Sequence, residues 1–385
     1  MIDFQLSPEQ QSFRDLARDF ARHEIVPVAG DYDRSAEFPW PVVHKAFEVG
    51  LVYPNIPEEY GGAGIDLVSE CLLREELSWG CAGISGAIGL SPLIALGLMI
   101  GGSEEQKRRY LPELIRERKL AAYALTEPGA GSDAAAIQTR AVRHGDDYAI
   151  TGSKCFITIA SEASYFLVFA KTNADDPHRG VSAFLVPRGT SGLTVGKKDD
   201  KMGQRAAGIA QVFFEDVKVP KRDRIGAEGE GFKLAMEVFN RSRPLVGAKG
   251  VGVARRAFEM ASEYANQRRT FGKPIIDHQG VGFLLADMYI QIEAARLLCW
   301  KAAWLADRGC DNSVAAAAAK CFAADTAMRV TTDAVQVLGG YGYIRDYGVE
   351  KLMRDAKVIQ IYEGTTQIQR LIIAKKLKRR AGAAS

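Results

Sequence analysis

The clearest candidate for ligand chemistry is the loop at residues 125–133, which reads Leu-Thr-Glu-Pro-Gly-Ala-Gly-Ser-Asp. Its small residues let the backbone approach a ligand closely, and Thr126 and Ser132 add hydroxyl groups to the N–H groups of such a turn. This combination suits the polar edge of a flat ring, or a phosphate. An ordinary wide turn that leads into a sheet fits the same residues equally well, so both interpretations stay open at this level.

A second candidate is the carboxylate of Glu363, which lies just before a helix predicted to begin near Thr365. Any carboxylate in this position gains about 0.3–1 kcal/mol from the helix dipole, which is the simplest explanation for it. The dipole would lower the pKa of Glu363, whereas an apolar pocket around the side chain would raise it. The sequence does not decide between these two influences.

Two familiar kinds of site find no support. Gly247, Gly250 and Gly252 resemble a dinucleotide-binding glycine motif, but they lie in an apolar helical stretch without a preceding strand, which favours close helix packing. The chain has no Walker-type phosphate loop. Its five histidines and six cysteines are scattered without ligand spacing, so we expect no metal site and reduced thiols.

The composition is that of a soluble globular protein. With 385 residues, of which 47% are hydrophobic and 25% charged, the chain is long enough for two or three domains. A net charge of +3 implies no general attraction to nucleic acid. Residues 84–102 are uncharged but rich in glycine, which predicts a buried helix and no stable membrane insertion. Without a secretory signal, the expected location is the cytoplasm, or the mitochondrial matrix after removal of a transit peptide.

Three segments with different hydrophobic periods must position these residues. The first is helical, and Ser7-Pro8-Glu9-Gln10 has the pattern of a capping box at its start. The second holds short stretches rich in β-branched and aromatic residues, which predict an antiparallel sheet or a small barrel. The third returns to long helical patterns. We therefore predict an α+β fold with an N-terminal helical domain (1–118), a central antiparallel β-barrel-like domain (119–230) and a C-terminal four-helix bundle (231–385).

Several motifs together resemble those of the acyl-CoA dehydrogenase family. Residues 124–133 resemble its first signature, and Arg-Arg-Thr-Phe-Gly-Lys-Pro at 268–274 resembles its adenine-side motif. The C-terminal signature is matched at 336–342 and 354–357. Ile-Tyr-Glu-Gly-Thr-Thr-Gln-Ile-Gln at 361–369 is similar to the catalytic loop of the medium- and short-chain branches. The resemblance covers nearly the whole chain and keeps the order of the motifs.

The resemblance implies FAD bound between the subunits of a homotetramer, arranged as a dimer of dimers. It assigns to the subunit's own FAD the residues Tyr123, Leu125, Thr126, Gly131, Ser132, Phe156, Thr158, Thr365 and Gln367. It assigns to the FAD of the neighbouring subunit the residues Arg268, Thr270, Phe271, Gln336 and Gly340. Phe156 stands where many relatives have Trp. For Phe156 and Phe271, a plain core position is the alternative.

The resemblance also implies a reaction, the oxidation of an acyl-CoA thioester to the trans-2-enoyl-CoA. Glu363 would remove the α-proton, N5 of FAD would accept the β-hydride, and an electron-transferring flavoprotein would take the electrons. The Glu363 N–H and a ribityl hydroxyl of FAD would bind the thioester oxygen. Some relatives carry the base at the position of Ser242, and others use an acid near Ser91. Neither residue is acidic here, which favours Glu363, and Arg243 resembles the arginine that supports the catalytic loop.

Substrate contacts are expected around the base, from Ser132, Phe239, Asn240, Ser242, Arg243, Tyr362 and Gly364. Gly89 and Ser91 are expected near the floor of the acyl pocket, where small side chains would deepen or widen it. The expected substrate carries a straight short or medium acyl chain, with branched and cyclic chains as alternatives. An acyl-CoA oxidase is the alternative enzyme, and a DNA-associated flavoprotein of the same fold is the alternative from a different class.

Overall fold

A computed structural model describes residues 5–173, 176 and 180–382, so the outermost ends of the first and third predicted domains lie outside the described residues. Helices occupy the described chain up to Arg116, strands follow between Ala121 and Ile225, and helices return from Gly231. The predicted order of helices, strands and helices is therefore confirmed, while the domain boundaries themselves stay a prediction.

The N-terminal segment begins with the predicted capping box. The Ser7 hydroxyl accepts a hydrogen bond from Gln10 N at 3.1 Å, and the Gln10 side chain accepts one from Ser7 N at 3.1 Å. Ser103 and Gln106 repeat this arrangement at α7. The helices of this segment are α1 (Pro8–Phe20), α2 (Ala29–Ser35), α3 (Trp40–Glu48), α4 (Leu67–Gly80), α5 (Ala82–Gly89), α6 (Pro92–Gly101) and α7 (Glu104–Arg116).

One helical stretch, Ala82–Gly101, is long and apolar enough to cross a membrane. However, 78% of its most apolar window is buried inside the protein, and the helix divides into α5 and α6 near Ser91. The α6 helix packs against the first strand and the first long C-terminal helix. The burial agrees with the predicted core helix.

The central segment forms one eight-stranded sheet. Its strands are β1 (Ala121–Ala124), β2 (Arg140–His144), β3 (Asp147–Thr158), β4 (Tyr165–Lys171), β5 (Val181–Pro187), β6 (Leu193–Lys198), β7 (Ile209–Pro220) and β8 (Arg224–Ile225). They follow the order β6-β7-β3-β2-β4-β5-β8, with β1 added beside β4. Most neighbours are antiparallel, but β1 and β2 run parallel to β4. The sheet is mixed because neither β1 nor β2 is joined to β4 by a direct hairpin. At least one other strand lies between them in the chain, so the chain can return to β4 in the same direction.

Long helices make up the C-terminal segment, and its glycines explain how closely they pack. A Cβ on Gly247 would lie 2.6 Å from Cys299 Sγ, and one on Gly252 would lie 2.1 Å from Glu75 O. The glycine motif therefore serves helix packing, as predicted. The elements are α8 (Gly231–Gln267), the hairpin β9 (Arg269–Thr270) and β10 (Lys273–Pro274), α9 (Gln279–Asp307), α10 (Ser313–Leu338), α11 (Gly340–Tyr343), α12 (Val349–Lys357) and α13 (Thr366–Gly382).

Candidate active site

The loop between α12 and α13 places Glu363 at a sharp reversal of the chain. Glu363 has a φ of +53° and Gly364 a φ of +89°, so both residues adopt left-handed conformations. This region is unfavourable for a residue with a side chain, and it persists only where the surroundings fix it. The hydrogen bonds that hold this loop are therefore part of the site.

The Glu363 carboxylate packs against the buried Ser242 of α8, whose hydroxyl donates a hydrogen bond to Glu363 Oε2 at 2.5 Å. Glu363 keeps part of its surface accessible. Burial of the carboxylate is nevertheless the largest influence on its pKa and raises it, while the Ser242 hydrogen bond and the charge of Arg243 act in the opposite direction. The sequence did not decide whether burial or the helix dipole controls the pKa of Glu363. In the structure, burial sets the direction of the pKa shift.

Three side chains fix the main chain of this loop. Gln369 Nε2 donates to Glu363 O at 3.1 Å and to Gly364 O at 2.8 Å. Lys320 Nζ, which is fully buried, donates to Gly364 O at 2.8 Å. Arg243 Nε donates to Glu363 O at 3.4 Å. The structure thus brings Arg243 to the loop as expected, and it adds Gln369 and Lys320.

An aromatic wall adjoins this cluster. The rings of Tyr123 and Phe239 are 5.5 Å apart, and the Arg243 guanidinium lies 5.6 Å from the Phe239 ring. Arg243 Nη1 also donates to Asn240 Oδ1 at 3.2 Å. The buried Tyr123 hydroxyl has no hydrogen-bond partner in the described part of the chain. A buried hydroxyl that the protein itself leaves unsatisfied can bond to a water molecule or a ligand.

The glycine-rich loop is tied to strand β3. Lys154 Nζ donates to Leu125 O at 3.0 Å and to Glu127 Oε1 at 2.7 Å, and Cys155 N donates to Thr126 O at 2.9 Å. Both partners of the Lys154–Glu127 pair are buried. Burial nevertheless lowers the pKa of Lys154 to about 8. These bonds bring the loop beside the middle of β3, so Leu125 and Thr126 lie close to the residues that follow Cys155.

Phe156 is the next residue of that strand and points away from the core. It lies in a bulge of β3, has a φ of +56° and is 65% exposed. Gly131 and Ser132 of the loop are also exposed, and Thr158 pairs with Ile209 two residues beyond Phe156. The alternative that Phe156 is a plain core residue is wrong, because its ring is exposed. A large exposed ring beside a loop of small residues offers a face for a flat ligand.

A second cluster lies at the other end of α8. Arg268, Thr270 and Gly340 line a cavity of about 460 Å³, where the Arg268 guanidinium stands 5.9 Å from the Tyr341 ring. Phe271 projects from the β9–β10 hairpin and is 95% exposed, so it is not a core residue either. Gln336 is exposed near the end of α10.

The last two residues predicted to contact FAD within the same subunit, Thr365 and Gln367, lie at the start of α13. The Thr365 hydroxyl accepts a hydrogen bond from Ile368 N at 3.3 Å, which is the geometry of a helix N-cap. Gln367 is exposed two residues further on. The capping bond shows a structural role for Thr365, and its contact with a cofactor stays a prediction.

Comparison with known proteins agrees with this geometry. Residues 7–118, 122–217 and 229–378 match the N-terminal, middle and C-terminal domains of acyl-CoA dehydrogenases. The chain belongs to the acyl-CoA dehydrogenase family. It is 43% identical over 380 residues to a short-chain specific acyl-CoA dehydrogenase of Clostridium acetobutylicum, covering 98% of this chain and 100% of that protein.

Solved structures give the same assignment. Butyryl-CoA dehydrogenase from Megasphaera elsdenii is 41% identical and superposes with a TM-score of 0.95, covering 98% of this chain and 100% of the other. A chain from the structure of the electron transferring flavoprotein of Acidaminococcus fermentans is 43% identical, also with a TM-score of 0.95, covering 98% and 99% of the two chains. This acyl-CoA dehydrogenase is therefore an oxidoreductase.

The expected effect of Gly89 on the acyl pocket needs a correction. Gly89 does not open extra space in this acyl-CoA dehydrogenase, because a Cβ there would lie only 1.8 Å from Arg74 Nη1. Ser91 is fully buried, and its hydroxyl accepts a hydrogen bond from Ala121 N at 3.0 Å. Ser91 therefore joins α6 to β1, and the guanidinium of Arg74 fills the space that Gly89 leaves.

Several positioning residues escaped the sequence analysis, notably Lys320 and the Glu127–Lys154 pair. Glu127 lies in the quoted loop, where the hydroxyls and glycines drew attention to ligand contacts instead. Lys320 follows the alanine run of α10, and a single lysine on an otherwise apolar helical pattern was the available signal. Such a signal does not reveal the partner, since Gly364 O lies on a different element.

Proposed function

We propose that this chain removes the α-proton and the β-hydride of a short or medium acyl-CoA thioester, giving the trans-2-enoyl-CoA, with Glu363 as the base. The observation that carries the proposal is the Glu363 carboxylate, held by Ser242 and raised in pKa by burial. An ordinary surface carboxylate has no such environment. A carboxylate tuned toward the working pH is suited to accept a proton in the transition state.

The main chain of Glu363 supplies the second part of the mechanism. Its N–H donates to no group among the described residues, while its carbonyl is held by Gln369 and Arg243. The hydrogen bonds to the carbonyl restrain the backbone at Glu363, and we place the N–H of this residue on the thioester oxygen. A donor aimed at that oxygen stabilises the negative charge that develops as the α-proton leaves.

The residues present fit FAD as the cofactor. The unsatisfied Tyr123 hydroxyl and the exposed Phe156 ring lie on elements joined to the Leu125–Thr126 backbone, where a flat polar ring system would find both an apolar face and hydrogen-bonding groups. When bound there, FAD supplies the acceptor for the β-hydride. Gly131, Ser132, Thr158, Thr365 and Gln367 are the further proposed contacts within the same subunit.

Assembly and electron transfer form the outer part of the proposal. Phe271 is almost fully exposed beside the cavity of Arg268, Thr270 and Gly340, which suits packing of this cluster and Gln336 against FAD of a neighbouring subunit. We therefore propose a homotetramer. An electron-transferring flavoprotein is the proposed acceptor, and the cytoplasm is the proposed location.

Anaerobic reduction of the flavin tests the central claim. The purified protein should be yellow and should bleach when an acyl-CoA is added without oxygen. Glu363→Gln should keep its flavin but bleach at least about a hundredfold more slowly, because the base is lost while the shape of the side chain is kept. Normal bleaching by this variant would show that Glu363 is not the base. Rapid oxygen consumption without an added acceptor would instead indicate an oxidase.

A further inference from the structure

Lys249 of α8 is a buried cation near the catalytic loop. It is only 9% exposed, and its Nζ donates to Gln204 Oε1 at 2.8 Å and stands 5.8 Å from the Tyr362 ring. It forms no ion pair with any carboxylate that the structure describes. The carboxylate with the largest charge effect on Lys249 is that of Asp355, which is bonded to Lys351 at 2.5 Å. Lys249 is therefore a buried lysine whose charge the protein compensates only in part.

Arg74 of α4 is a second buried cation with unused hydrogen-bonding capacity. It is 4% exposed, and its Nη2 donates to Glu70 Oε1 at 3.0 Å. Its Nη1 is buried without a hydrogen-bond partner in the described part of the chain. The guanidinium lies directly over Gly89, where it occupies the space of a side chain. A guanidinium normally uses its fork of donors on a carboxylate or a phosphate, so the unused Nη1 indicates a missing partner.

Helix α5 brings these two cations together. Gly86 and Gly89 lie three residues apart on one face of the helix. A Cβ on Gly86 would stand 3.2 Å from Lys249 Nζ, and one on Gly89 would stand 1.8 Å from Arg74 Nη1. The absence of side chains at both glycines makes room for both cations.

Electrostatic effects connect the pair with the catalytic base. The charge of Arg74 contributes to a low pKa of Lys249, about 7, for which burial is the main cause. The charge of Lys249 in turn lowers the pKa of Glu363. The Tyr362 hydroxyl lies near the Gln204 side chain without a hydrogen bond of normal geometry. The region beyond Tyr362 thus holds a partly compensated ammonium, an unused guanidinium N–H and an unsatisfied hydroxyl.

We propose that Arg74 and Lys249 form an anion-binding subsite at the far end of the acyl pocket, and that the preferred substrate is the monothioester of a dicarboxylic acid. This inference rests on the proposed function, with the thioester placed at Glu363 and the acyl chain directed past Tyr362. A terminal carboxylate gives Arg74 Nη1 its missing acceptor and gives Lys249 a counter-charge. Burying two cations costs stability unless such a partner completes the site.

A comparison of chains of equal length tests the subsite in the wild-type holoenzyme. The probes are glutaryl-CoA against pentanoyl-CoA, and adipoyl-CoA against hexanoyl-CoA, in anaerobic flavin bleaching. The compared quantity is the bleaching rate divided by the dissociation constant of the acyl-CoA. Because of the charge-assisted hydrogen bond, this ratio should be roughly tenfold or more higher for the carboxylate-terminated chain. Equal or faster bleaching by the methyl-terminated chains overturns the subsite and leaves Arg74 as a filler that shortens the pocket. Bleaching by none of the four overturns the proposed function itself.

Variants separate the two cations. Lys249→Met and Arg74→Gln should each lower the ratio of the carboxylate-terminated to the methyl-terminated rate by roughly tenfold. Arg74→Lys is the matched control, because it keeps the charge and should keep part of the preference. An unchanged ratio in both Lys249→Met and Arg74→Gln contradicts the subsite. If a variant does not fold, the wild-type comparison still decides.

Discussion

The hydrogen bond from Ser242 to Glu363 should set the pH at which this enzyme works. The hydroxyl stabilises the ionised carboxylate and so lowers its pKa, against the larger raising effect of burial. Ser242→Ala removes that stabilisation and should raise the pKa of Glu363 further. As the proposed base, Glu363 must be ionised to accept the α-proton, so we expect the rate to rise with pH through this pKa. The acid side of the pH profile should therefore move to higher pH in the variant.

The size of the effect follows from the geometry. The bond is 2.5 Å long, and its acceptor is a charged group in a buried site. A hydrogen bond to a charged group contributes about 1.5–3 kcal/mol, which corresponds to roughly tenfold to a hundredfold. On the acid side of the profile, Ser242→Ala should lower the bleaching rate by about this factor at a fixed pH. On the plateau, where Glu363 is ionised in both proteins, the rates should converge.

Stopped-flow bleaching with a saturating acyl-CoA, measured across pH without oxygen, provides the assay. Ser182→Ala is a suitable control, since its buried hydroxyl on β5 accepts from Gly229 N at 2.9 Å and has no contact with Glu363. This control should leave the pH profile in place even if it lowers stability. A profile of Ser242→Ala that stays in place or moves to lower pH would refute the reasoning.

Two further perturbations test the surroundings of the site. Lys320→Met removes the donor to Gly364 O and a positive charge near Glu363. It should slow bleaching by roughly tenfold and move the acid side of the pH profile to higher pH. A variant that retains its flavin and shows an unchanged pH profile would contradict this role of Lys320. Gly252→Ala should lower the free energy of unfolding by about 1–3 kcal/mol, because the new Cβ would meet the Glu75 carbonyl. Gly280→Ala is the control and should not lower this free energy, because its new Cβ would meet nothing within 4 Å. Denaturant unfolding of both variants measures the difference.

Local patterns were sufficient where the structure depends on residues close in sequence. The capping box at Ser7 and the long C-terminal helices follow from helical periodicity and capping chemistry. The parallel placement of β1 and β2 beside β4 did not follow, since strand neighbours are chosen by long-range packing. The exposed positions of Phe156 and Phe271 were also undecided, because an aromatic residue alone does not indicate which side of a strand or hairpin is covered.

The sequence by itself determined the family, the order of the three segments and the identity of the candidate base, because each of these is written in contiguous motifs. The tertiary structure decided the environment of that base, where burial outweighs the helix dipole and Ser242 provides the hydrogen bond. It also decided the positions of Arg74 and Lys249, which both lie against the glycines of α5. Residues on separate helices leave no shared signal in the sequence, and only the packing of those helices brings their charges together.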